Sequence, residues 1–69
     1  MQRIEISING QPTRVSHAST VDSALRDCGY TLDSAAVAIN ETVVPRAHYA
    51  TQLLQHGDRI EVLTPFAGG

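Results

Sequence analysis

Lysine is absent from this sequence, and cysteine occurs once. Without lysine there is no side-chain amine for conjugation, which leaves only the N-terminus. The basic groups are Arg3, Arg14, Arg26, Arg46 and Arg59, set singly along the chain, and seven acidic residues bring the net charge to −2. Such scattering offers no basic patch to nucleic acid or to an anionic membrane surface. A lone Cys28 permits no internal disulfide, and a reducing compartment is its simplest setting. No apolar run approaches the roughly 20 residues of a membrane span. The opening MQRIEISING lacks the basic-then-apolar layout of a signal peptide, so a cytoplasmic location is expected. His17, His48 and His56 have no metal-ligand spacing, and no Ser-His-Asp order, P-loop or GxGxxG occurs. Neither a metal site nor a bound cofactor is expected. With 69 residues the chain suits one domain, burying only ~60% of the surface its unfolded form exposes. So little material favours a carrier, binding module or subunit over a self-sufficient enzyme.

What is present reads as alternating strands around one helix. Ile4, Ile6 and Ile8 share one face of residues 3 to 8, opposite Arg3, Glu5 and Ser7, which is the period of a half-buried strand. Asn9-Gly10 then predicts a type I′ hairpin, whose two turn residues both need positive φ. Residues 11 to 16 return as a second strand, with Thr13 and Val15 on one face and Pro12 confining it to an edge. Thr20 is a suitable N-cap, Asp22 suits the positive helix end, and Gly29 is a natural stop. Val21, Ala24, Leu25 and Cys28 fall on one face of the helix between, about 21 to 28. Residues 36 to 40 read as an internal strand and Val43-Val44 as a short edge strand ended by Pro45. Residues 46 to 54 fit either a helix, from the spacing of Tyr49 and Leu53, or a 3₁₀ turn and a short strand. Gly57-Asp58 is a turn, and residues 59 to 64 form the last strand, with Ile60 and Val62 inward. This order permits an α+β β-grasp fold: a mixed sheet of four to five strands with one main helix packed on one face. The expected core contains Ile4, Ile6, Val15, Val21, Leu25, Val37, Ile39, Ile60 and Val62.

The most informative candidate site is the terminal Gly68-Gly69 pair. Two glycines after a strand leave a backbone thin enough for a narrow channel and free in φ. Residues 65 to 69 are expected to form a flexible tail, with a span of at most about 16–18 Å at full extension. That reach suits delivery of a terminal carboxylate into a partner's active site. Leu63 alternates to the sheet's outer face and Phe66 follows the strand, so both are expected to contact a partner, with Arg46 at the rim. Arg46 equally suits a solvated surface position. Cys28, on the apolar stripe, is read as a buried, inert thiol. Asp58 is read as a turn-former rather than a chemical group.

The segments VAINETVVPR (37 to 46) and HGDRIEVL (56 to 63), Tyr49 and the terminal AGG (67 to 69) resemble the ThiS family, ubiquitin-like sulfur carriers of thiamin thiazole biosynthesis. The resemblance covers nearly the whole chain. Members often carry Trp where Tyr49 stands. The resemblance implies that Gly69 carries the sulfur, with Ala67 and Gly68 as tail, and that the chain is a protein co-substrate rather than an enzyme. It implies three partners: an E1-like adenylating enzyme of ThiF type, which uses ATP, a persulfide sulfur donor, and a thiazole synthase of ThiG type. The GD-x-I-E turn and the GG end are shared with molybdopterin-type carriers. Alternatives are therefore such a carrier, one serving amino-acid biosynthesis, or a β-grasp interaction domain whose Gly-Gly end is incidental.

Overall fold

A computed structural model describes residues 2 to 63 of the chain. Six residues alternate through β1 (Arg3–Ile8), turn at Asn9-Gly10 and return as β2 (Gln11–Ser16). Asn9 and Gly10 both take positive φ, at 51° and 85°, as a type I′ turn requires. The helix α1 (Val21–Asp27) begins at a capping box. The Thr20 hydroxyl accepts from the Ser23 N–H, and the Ser23 hydroxyl accepts in return from the Thr20 N–H. Two further N–H groups of the first turn are satisfied from outside the helix, Val21 donating to the Gln52 carbonyl and Asp22 to that of Tyr49.

The helix ends in a Schellman turn. Gly29, at φ +94°, donates to the Arg26 carbonyl and Tyr30 donates to that of Leu25. This turn corrects the expectation for Cys28. The cysteine is the C-cap and is exposed, while Tyr30 is carried round to pack against the core in its place.

The chain continues through β3 (Ala36–Ile39), β4 (Thr42–Val44), a 3₁₀ turn (Arg46–His48) and β5 (Arg59–Leu63). The sheet has five strands in the order β2-β1-β5-β3-β4. The first and last strands run parallel at its centre, and every other pairing is antiparallel. Pro12 lies on an edge, as its missing N–H demands. The α+β, β-grasp expectation is met. Residues 46 to 54 resolve into the 3₁₀ turn and an isolated bridge from Leu53 to Thr20, so the helical spacing of Tyr49 and Leu53 was coincidental.

Val21, Ala24 and Leu25 on the helix pack with Ile6, Ile8, Val15, Val37, Ile60 and Val62 on one face of the sheet. Leu32, Ala35, Val44, Tyr49 and Leu54 complete this core. Ile4 and Ile39, expected in it, are only half-buried. Ile4 borders a concavity with His17 and Leu53, and Ile39 another with Pro45 and Gln52, both at margins of the core.

Candidate functional site

The site begins at β5, the strand that leads to the terminal Gly-Gly pair. β5 carries Ile60 and Val62 inward and Arg59, Glu61 and Leu63 outward, because a strand alternates faces. Leu63 is 66% exposed, as its period predicts. It stands opposite Ala36 of β3, and Val43 of β4, 71% exposed, stands opposite Ala38. Leu63, Ala36, Ala38 and Val43 thus give the outer face an apolar stretch across three strands, with Glu61 opposite Ala38 on the far side. Val43 was legible by alternation from the inward Val44, yet its place on the same face as Leu63, with β3 between the two strands, depends on the β3–β5 pairing, which joins residues far apart in sequence.

Arg46 lies at the same end of the sheet. Its guanidinium donates to the carbonyls of Leu32 (2.8 Å) and Ala35 (3.3 Å), and Ala35 directly precedes the partner of Leu63. The Tyr49 hydroxyl also donates to the Ala35 carbonyl, at 3.0 Å, and the Arg46 guanidinium lies 5.7 Å from the Tyr49 ring centroid. Arg46 is therefore exposed but engaged: it fastens the segment leading into β3. Phe66, Ala67, Gly68 and Gly69, the remaining candidates, lie outside the described residues.

Two asparagines hold the last strand from either side. The Asn40 side chain accepts from the Arg59 N–H (3.0 Å) and donates to the Asp58 carboxylate (3.1 Å) at the start of β5. The Asn9 side chain accepts from the Val62 N–H (2.9 Å) and donates to the Val62 carbonyl (3.3 Å) near its end. Asp58 also accepts from the Gln55 N–H, which makes it a turn-former as expected. Neither asparagine's grip on β5 was legible, since Asn-Gly and Asn-Glu announce only turns.

Among the described residues no group of three or more His, Cys, Asp or Glu side chains is placed to hold a metal ion. Nor is any helix there long and apolar enough to cross a membrane. Among the described residues, one ion pair joins Asp22 to Arg26 on one helix face, at 2.7 Å; the hydrogen bond and charge of Asp22 raise the arginine pKa. What this end of the molecule offers is a strand hydrogen-bonded on both sides, an exposed apolar face beside it, and six further residues of chain ending in Gly-Gly.

Comparisons with known proteins converge. The ThiS family model matches residues 6–69. The sulfur carrier protein ThiS of Escherichia coli is 33% identical over 66 residues, covering 96% of this chain and 100% of that one. A thiazole synthase of Magnetococcus marinus is also 33% identical over 66 residues, but the chain spans only 20% of its length. The crystal structure of ThiS from Geobacter metallireducens superposes with a TM-score of 0.80 at 23% identity, covering 96% of this chain and 100% of that one, which shows a shared fold.

Proposed function

The chain belongs to the ThiS family, and on that footing we propose that it is a sulfur carrier for thiamin thiazole formation, with sulfur carried on the C-terminal carboxylate of Gly69. A carboxylate is a poor electrophile because its charge is delocalised, so activation must precede sulfur transfer. An E1-like enzyme of ThiF type uses ATP to form the Gly69 acyl-adenylate, with pyrophosphate leaving. The outer sulfur of a persulfide donor attacks the acyl carbon and expels AMP, giving an acyl disulfide. A second thiol then cleaves its S–S bond, forming a disulfide with the donor sulfur and leaving the Gly69 thiocarboxylate, from which a thiazole synthase of ThiG type takes the sulfur. The glycine acyl carbon has no Cβ to obstruct either attack. The carrier contributes a tail and a docking face, and acts as co-substrate rather than catalyst.

The observation that carries this reading is a family match running through the terminal Gly-Gly pair, joined by likeness to a whole sulfur carrier. Thiazole synthases that contain a segment similar to this chain support the last partner. Docking falls to the outer face at Leu63, with Phe66 beyond it and Arg46 at the rim. Intact-mass spectrometry of the chain produced in its native host tests the proposal. A species heavier by about 16 Da, the difference between sulfur and oxygen, is expected. A single unmodified mass from cells actively making thiamin overturns it.

A further inference from the structure

We infer that Asn9 is a positioning residue for the C-terminal tail, fixing Val62, from whose strand the tail continues. The inference rests on the carrier reading of that tail. β1 and β5 run parallel, with Ser7 opposite Arg59 and Ile8 opposite Ile60. The ladder's last backbone bond on this side is the Asn9 N–H to the Ile60 carbonyl, at 2.9 Å. Were β1 to continue, the Asn9 carbonyl would next accept from the Val62 N–H, and a later N–H would donate to the Val62 carbonyl. The chain instead turns away at Asn9-Gly10, and the Asn9 side-chain amide supplies both partners. One primary amide, with one acceptor and a donor pair, stands in for the missing strand.

This placement matters for the tail because Val62 and Leu63 are its root. On the other side, β3 holds Val62 and Leu63 through Val37 and Ala36. On the β1 side no backbone bond among the described residues reaches beyond Ile60, so the Asn9 side chain makes the difference between a strand held on both flanks at Val62 and one held on one. Productive delivery of a terminal carboxylate depends on where its tether is anchored, because reacting groups gain most when their geometry is set in advance. Asn40 provides an internal control: it grips the same strand at Arg59, from the other side and far from the tail.

The test uses the full chain with Asn9→Gly, which keeps the positive-φ turn and removes only the side chain. Asn9→Asp serves as a second variant and Asn40→Gly as the control. Amide exchange at Val62 is expected to quicken roughly tenfold in Asn9→Gly, as for loss of one hydrogen bond that limits local opening, with helix amides unchanged. In ATP–pyrophosphate exchange with the cognate adenylating enzyme, kcat is expected to fall roughly three- to tenfold while the KM for the carrier stays level. Asn40→Gly is expected to leave kcat at the parent value. Unchanged Val62 exchange, a parent-like kcat in Asn9→Gly, or an equal loss in Asn40→Gly overturns the assignment alone. A parent chain that supports no exchange overturns the carrier reading and the tail role with it.

Discussion

Among the described residues, four other than glycine hold positive φ: Asn9, Ala18, Asn40 and Glu41. The asparagines tolerate that region well, and their side chains are used on β5. Glu41 has no such compensation. It is exposed, sits at φ +73° as the second residue of the β3–β4 turn, and occupies the position where a type I′ turn favours glycine. A left-handed Cβ costs about 1–2 kcal/mol, and glycine's extra unfolded-state entropy returns part of it. Glu41→Gly is therefore expected to stabilise the fold by about 0.5–1 kcal/mol. In urea unfolding this appears as a higher midpoint at constant slope, and an unmoved or lowered midpoint refutes it. Cys28 shows the limit of residue-scale reading. Its i+7 place on the stripe pointed inward, but the Schellman turn at Gly29 ends the helix first and hands the inward direction to Tyr30. Periodicity assigns a face only while the helix lasts.

At the scale of elements, the strands and the helix were legible because each announces itself locally, by alternation, by a cap or by a turn residue. Arg3–Ile8 and Arg59–Leu63 alternate, Thr20 and Gly29 bracket the helix, and Asn9-Gly10 forces the hairpin. The segment from 46 to 54 was not legible, because long-range bonds decide it. Tyr49 is buried through its bond to Ala35, while Leu53, its apparent helical companion, is exposed. Arg46 has the same character: local sequence left it between solvent and a partner, and the structure commits its guanidinium to two carbonyls. This bears on the docking proposal, since loss of Arg46 also loosens the segment preceding β3. Arg46→Ala is expected to cost about 1–2 kcal/mol, within the range of hydrogen bonds made by a charged group. Thermal unfolding measures this directly. A melting point equal to the parent's would free Arg46 from the fold and leave docking as its role.

At the scale of the whole molecule, residues 2 to 63 close a core of their own, and the carrier reading gives the chain end a separate task. Gly69 has no side chain to add to a core, so its removal is expected to change stability by no more than about 0.5 kcal/mol. Function should respond very differently. Loss of Gly69 withdraws the terminal carboxylate by about 3.5 Å from the position it must reach, which exceeds the tolerance of a reacting pair. It also places the carboxylate on Gly68, so the chemistry is preserved and only the geometry changes. Deletion of Gly69 is therefore expected to abolish ATP–pyrophosphate exchange with the adenylating enzyme. Gly69→Ala should impair it severely but less completely, because the methyl group crowds the acyl carbon without shortening the chain. The comparison must be made between proteins of equal melting point, so that a lost signal reports the terminus rather than the fold. Phe66→Ala separates docking from delivery, because it should raise the KM for the carrier while the turnover of the bound complex persists. Undiminished exchange with the truncated chain would mean that the carboxylate's position is irrelevant, and an interaction domain with an incidental Gly-Gly end would then explain the molecule better than a carrier.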